Sequence, residues 1–184
     1  MLDAIEPARH REEASVAEMK NNSPDLIDAD EYRNTLGRFA SGVTVVTVRV
    51  DGRIRGMTAI SFCSVSLDPP LVGVSVGRHT KMHGLLQQCG DFGISILAGN
   101  QQALSDHFAA RAVAEAGPRF EDVEGIPMVC GALAHICCAM HSRFDAGDHT
   151  IYVGRVGYVN FREDAEPLIY YGGAYRSLAK PSRA

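Results

Sequence analysis

The chain has 184 residues, with 18 Lys and Arg against 22 Asp and Glu, for a net charge of −4. That is about one domain's length, enough to bury a real core, and the charge balance offers no argument for nucleic acid or an anionic membrane as partner. No apolar run approaches the ~20 residues that span a bilayer, and the N-terminal stretch Ala4-Ile5-Glu6-Pro7-Ala8-Arg9-His10 holds no apolar signal region. A cytoplasmic location is the default expectation.

Residues 1–27 are polar and aperiodic, with Asn21-Asn22-Ser23-Pro24 as a breaker. They read as a tail, either partly helical or wrapped on a partner subunit, ahead of one domain over 28–180. Asp28 or Asp30 can cap a helix through Phe39, with Tyr32, Leu36 and Phe39 on one face and Ser41-Gly42 ending it. Val43 to Val48 is a β-branched run and predicts a strand. Asp51-Gly52 is a hairpin signal, with a second strand over Ile54–Ser61. After Asp68-Pro69-Pro70, Leu71–Val76 predicts a third strand, Thr80–Gln88 a helix, Phe92–Leu97 a fourth strand and Gln101–Ala110 a short helix. Residues 111–127 read as a loop or lid, long enough to hint at function. Leu133–Phe144 and Ile151–Phe161 are long strands joined by Asp145-Ala146-Gly147-Asp148, and Leu168–Tyr171 closes the domain. Many strands with few, short helices predict a mainly β antiparallel barrel rather than a βαβ sheet.

The five cysteines (Cys63, Cys89, Cys130, Cys137, Cys138) are odd in number and match no zinc ribbon or CxxC pair. Adjacent positions on a strand face opposite ways, so Cys137 and Cys138 should part. Reduced, partly buried thiols are the simplest account, with no disulfide and no metal. The histidines show no metal spacing. No GxGxxG opens a βαβ unit, and there is no P-loop and no Gly-x-Ser-x-Gly elbow.

Three segments could carry chemistry. The first runs from Arg55 through Gly56, Met57, Thr58, Ala59, Ile60 and Ser61 to Ser66. Small residues there let backbone amides approach a flat ring, and hydroxyls can hold a phosphate or ribityl chain. From spacing alone, a barrel strand ending in a polar loop explains it as well or better. The second is Ser75-Val76-Gly77-Arg78-His79-Thr80-Lys81-Met82, where a strand end meets a helix start beside two cations, suiting an anionic phosphate or an ordinary cap. The third is Gly147-Asp148-His149, where a histidine after a tight turn can face a ligand or simply pack.

Taken in order, Phe39-Ala40-Ser41-Gly42-Val43-Thr44-Val45-Val46-Thr47, Gly56-Met57-Thr58-Ala59 to Ser66, Asp68-Pro69-Pro70-Leu71, Gly147-Asp148-His149 with Val153-Gly154-Arg155-Val156, and Leu168-Ile169-Tyr170-Tyr171-Gly172-Gly173-Ala174-Tyr175 resemble the short-chain flavin reductases, the reductase components of two-component flavin-dependent monooxygenases. The resemblance covers about Tyr32 to Leu178. It implies an FMN-binding split β-barrel of antiparallel Greek-key type, a homodimer, flavin near the subunit interface, and hydride transfer from NADH or NADPH to FMN or FAD. Reduced flavin would then pass to a partner monooxygenase. By position, Arg55–Ser61 and Ser66 would line the flavin, while Ser75, Val76, Gly77, Lys81 and Met82 would meet its ribityl and phosphate groups. His107, Phe108 and Tyr171 would complete the site. His149, beside Asp148, would contact the nicotinamide. One position departs from the pattern: many relatives carry Asn or Gln where this chain has Ile60, whose side chain offers no hydrogen bond. A non-catalytic flavin carrier of the same fold, or a ligand-free dimeric interaction domain, are the alternative readings.

Overall fold

The computed structural model describes residues 27–111 and 117–179. The chain divides into two units, residues 1–38 and 39–184. The expected tail lies outside the described residues, Ile27 apart.

In the first unit, helix α1 (Ala29–Leu36) begins where Asp28 predicts it. The Asp28 carboxylate accepts from the Asp30 and Glu31 amides at 2.9 and 3.0 Å, satisfying donors that a helix start leaves unpaired. The helix stops at Leu36, and none of its residues is buried. Ser41-Gly42 does not end it but forms a short strand, β1, paired with Tyr170 and Ile169.

The second unit is built on seven antiparallel strands. They are β2 (Thr44–Val50), β3 (Arg53–Ala59), β4 (Cys63–Leu67), β5 (Pro70–Gly77), β6 (Asp91–Ile96), β9 (Ala134–Ala146) and β10 (His149–Phe161), in the order β3-β2-β6-β9-β10-β5-β4. β3 and β4 occupy the two edges, yet only Ile60, Ser61 and Phe62 separate them along the chain. Six strand spacings would hold the edges of a flat sheet roughly 29 Å apart, and so short a link spans at most about 14 Å. The sheet therefore curls on itself into a barrel, split between β3 and β4. Helices α2 (Lys81–Leu86) and α3 (Gln102–Phe108) pack on it. Three-stranded and two-stranded sheets complete the unit, formed by β1, β11 (Ile169–Tyr171) and β12 (Ala174–Arg176), and by β7 (Phe120–Val123) and β8 (Ile126–Val129).

The barrel core follows the alternation of strands. Val46 and Val48, Val72, Val74 and Val76, Phe92 and Ile94, Cys138 and Tyr152 point inward, and Met82 and Leu86 of α2 plug one end. β2 is buried on both faces: Val45, with Val43 just before the strand, joins Leu97, Val129, Ala132 and Leu168 in a second cluster outside the barrel. This is why its sequence is a near-continuous apolar run rather than an alternating one. Cys137 and Cys138 part as adjacent strand residues must. Cys138 lies in the core, whereas the Cys137 thiol reaches the Val123 carbonyl at 3.6 Å. All five cysteines are free thiols.

Two further differences from the expectations concern β4 and residues 111–127. Residues 111–127 are not simply a loop, because the hairpin β7–β8 forms within and just beyond them and turns at Glu124 and Gly125, both at positive φ. It is fixed by tertiary contact, with the Thr47 hydroxyl donating to the Pro127 carbonyl. Met128 also lies against Gly93, where a Cβ would stand 2.5 Å from its sulfur. β4 is a strand the sequence did not announce, since Cys63-Ser64-Val65-Ser66-Leu67 is largely exposed. Among the described residues, no helix is long and apolar enough to cross a membrane.

Candidate functional site

The split between β3 and β4 gathers most of the singled-out residues. Ile60, Ser61 and Phe62 lie outside the ladders, and their N–H groups make no hydrogen bond among the described residues. Ile60 is half-exposed, at 49%. Three uncommitted amide donors beside an exposed aliphatic side chain form a surface for a flat ring with a polar edge.

The Ser61 hydroxyl laces this segment to β5, donating to the Ser75 carbonyl at 2.8 Å and accepting from its amide at 3.1 Å. From Ser75 the ladder leads directly to the third segment, since Ser75 faces Ile151 and Gly77 faces His149 on β10. The Arg78 amide donates to the Asp148 carbonyl at 2.9 Å. Thr80 caps α2, its hydroxyl donating to the Gly77 carbonyl and accepting from the His83 amide. The His79 ring covers Gly77 so closely that a Cβ there would sit 2.8 Å from it. Ser61, Ser75, Gly77, Thr80, Asp148 and His149 thus share one continuous hydrogen-bonded corner, with Lys81 next along α2. The side chains of Arg55, Arg78 and Lys81 are exposed and carry no ion pair among the described residues, leaving three cations for an anionic ligand.

His149 and Asp148 are in contact, with Nδ1 2.7 Å from Oδ1. This hydrogen bond, together with the imidazole's charge, holds the Asp148 carboxyl below its ordinary range.

On the other flank, α3 packs against β3. The Thr58 hydroxyl donates to the Ser105 carbonyl at 2.7 Å. The Phe108 ring lies on Gly56, where a Cβ would meet it at 2.6 Å, and Phe108 stacks edge-on with His107, centroids 5.1 Å apart. The Tyr175 hydroxyl bonds to Ser105 and Asp106, each at 2.8 Å. A cleft of about 140 Å³ opens here beside Thr58, Ile60, Arg111 and Tyr170. A larger cleft of about 570 Å³, lined by Arg49, Asp51, Asp91 and Glu124, lies at the opposite end of β2 and β3. None of the singled-out residues lines it.

Several expected residues sit differently from the rest. The side chains of Val76, Met82 and Ala59 are buried in the core, so any ligand contact they make runs through backbone. Met57 packs against the same core. Ser66 pairs with Leu71, six residues along β5 from Gly77, roughly 20 Å away at the strand rise, and it does not join the corner. Tyr171 is partly exposed on β11, away from the Ser61–His149 contacts. The sequence reading missed Ser105, Asp106 and Tyr175 as supports of β3. Tyr175 stands in the quoted Gly172-Gly173-Ala174-Tyr175 run, which was the available signal.

Comparison with known proteins places the fold in a family. Residues 36–179 match the flavin reductase like domain. An NADH-dependent flavin reductase from a Rhodococcus species is 47% identical over 149 residues, covering 79% of this chain and 84% of that one. The reductase component of 4-hydroxyphenylacetate 3-monooxygenase from Thermus thermophilus is 42% identical over 157 residues, covering 83% and 99%. Among solved structures, the flavin reductase PheA2 in its native state superposes with a TM-score of 0.81 at 40% identity, covering 84% of this chain and all of that one. The NADH:FAD oxidoreductase SgcE6 of Streptomyces globisporus, in complex with NAD and FAD fragments, does so at 0.79 and 37%, covering 86% and 99%. With its domain matched almost end to end and its barrel shared, the chain belongs to the flavin reductase-like family.

Proposed function

We propose that this chain reduces flavin with NADH and releases reduced flavin to a separate oxygenase. The observation that carries the reading is the split itself: amides at Ile60–Phe62 that are free among the described residues, linked through Ser61 and Ser75 to the corner that holds His149. The donor set suits a flavin, with apolar surface for the ring, amides for its polar edge and uncommitted cations for its phosphate. When bound, the flavin supplies N5 as acceptor for the hydride leaving C4 of the dihydronicotinamide, giving reduced flavin and NAD+.

The chain's residues then have defined tasks. The amides of Ile60 and Ser61 donate to the ring edge where negative charge grows on reduction, without reorganising. Gly56 and Phe108 bound the ring's surroundings on β3, Lys81 with Arg78 neutralises phosphate, and His149, held by Asp148, seats the nicotinamide. Orientation of two rings, rather than acid–base chemistry, is the protein's contribution.

The working form is a homodimer, with the exposed apolar side chains of Ile60, Val65 and Ile151 as surface that a second copy would cover. A cytoplasmic setting suits free thiols and a nicotinamide donor. The test is oxidation of NADH followed at its absorbance band with FMN and with FAD, alongside molar mass by light scattering. Flavin-independent or absent turnover would refute the reductase reading, and a monomer would refute the dimer.

A further inference from the structure

Helix α2 is joined to the β9–β10 hairpin by a line of polar contacts that no ligand reading uses. The Thr150 hydroxyl donates to Asp145 Oδ1 at 2.8 Å, and His83 Nε2 lies 3.1 Å from Thr150 Oγ1. A hydroxyl has one proton. With that proton on the carboxylate, Thr150 accepts from His83, whose imidazole therefore carries its hydrogen on Nε2. Tyr152 reinforces the joint by donating to the His83 carbonyl at 3.1 Å and accepting from Gln87 Nε2 at 3.1 Å. Its ring meets the imidazole edge-on at 5.9 Å. Thr150 is 1% exposed and Tyr152 fully buried, so these polar groups depend on one another for partners.

The location gives the joint its meaning. The β5 ladder ends at Gly77 opposite His149. Beyond it, among the described residues, the Gly147–Asp148 turn is held from outside the hairpin by the Arg78 amide. Thr150 is the next residue after His149, and Asp145 is its partner across the hairpin. His83 lies in the first turn of α2, two residues after Lys81.

We infer that Asp145, Thr150 and His83 form a positioning relay, which anchors the backbone of His149 to helix α2 and so sets the affinity for the nicotinamide dinucleotide. This rests on the reading of His149 as the nicotinamide contact. The three residues act through the backbone of His149, not by touching ligand.

The test is steady-state kinetics of Thr150→Val, which keeps the shape and removes the hydroxyl, with NADH titrated at saturating flavin and flavin at saturating NADH. The KM for NADH rises about tenfold, the size of one lost buried hydrogen bond. The KM for flavin moves by less than about twofold, the split expected when only one ligand's binding is affected. Thr150→Ser restores the NADH value. Asp145→Ala, at the exposed end of the hairpin, gives the same split and carries the test if Thr150→Val does not fold. Wild-type KM for NADH in these variants, or both KM values moving together, overturns the relay. His149→Ala is run in parallel. If it raises the KM for NADH while the relay variants do not, the relay alone fails, and if it leaves that KM unchanged, the nicotinamide reading and the relay fail together.

Discussion

The carboxylate of Asp148 lies 2.7 Å from Nδ1 of its chain neighbour His149. An acceptor at Nδ1 fixes the ring's orientation and leaves Nε2 for another partner. Because the Asp148 pKa is lowered, this contact is fully present above the ordinary carboxylate range. It is lost only as pH falls through the lower folded value. Asp148→Ala should therefore raise the KM for NADH about three- to tenfold at neutral pH, with kcat changing less, the pattern of weakened binding rather than weakened chemistry. The Asp148 side chain is largely exposed and that of His149 partly so, so the melting temperature should move little. Initial rates at varied NADH check this, and an unchanged KM refutes it.

Gly56 has no room for a side chain, since a Cβ would stand 2.6 and 2.7 Å from two carbons of the Phe108 ring. Gly56→Ala must push Phe108 and α3 off β3. Overpacking of this kind costs about 1–3 kcal/mol, and the displaced ring opens the flavin side of the split. The expected result is a lower melting temperature together with a raised KM for flavin. A variant with wild-type values of both would show that α3 yields without consequence.

The Ser61 hydroxyl makes two bonds to Ser75, at 2.8 and 3.1 Å, and is the side-chain lace across the split. Ser61→Ala should cost about 1 kcal/mol of stability. It should also loosen Ile60–Phe62, raising the KM for flavin more than that for NADH. Thermal unfolding and the two titrations decide it.

Local signals in the sequence marked much of this architecture. Asp51-Gly52 gave the β2–β3 hairpin because both residues take positive φ there, 49° and 72°, as a two-residue turn demands. Asp28 and Thr80 marked helix starts for the same local reason, a side-chain oxygen in reach of free amides. What stayed hidden depends on distant partners. β8 exists because Thr47 and Gly93 receive it, some 80 residues away in the case of Pro127. The support of Thr58 by Ser105, and the lace from Ser61 to Ser75, likewise join residues that no periodicity connects. For the site, composition pointed to phosphate-friendly strand ends, and the family resemblance pointed to His149. The placement of Ser66 at the far end of β5 required the register.

Ile60 stands half-exposed beside amides that are free among the described residues, and its side chain offers no hydrogen bond. Ile60→Asn would add a donor and an acceptor next to the ring edge. The KM for flavin should fall by about three- to tenfold, the yield of one added hydrogen bond, and the ratio of FMN to FAD turnover should shift. Identical flavin titrations for the two proteins would show that backbone alone reads the ring.

Cys138 offers a readout of the barrel core. Burial, and to a lesser extent the neighbouring Cys137, push its thiol from the ordinary value of 9.0 up to about 12. Only the thiolate attacks disulfide reagents, so at neutral pH Cys63, which is exposed, should label at once while Cys138 waits for unfolding. The same shift has a sign in stability. The folded state holds the proton that the unfolded chain releases near pH 9, so the stabilisation is whole below that pH and is lost as pH rises toward 12. Cys138→Ala should be less stable than wild type at neutral pH, through lost packing, yet fall off less steeply with alkali. Denaturant unfolding of both proteins between pH 8 and 11 would show this as converging midpoints, and parallel curves would mean that Cys138 does not carry the alkaline dependence.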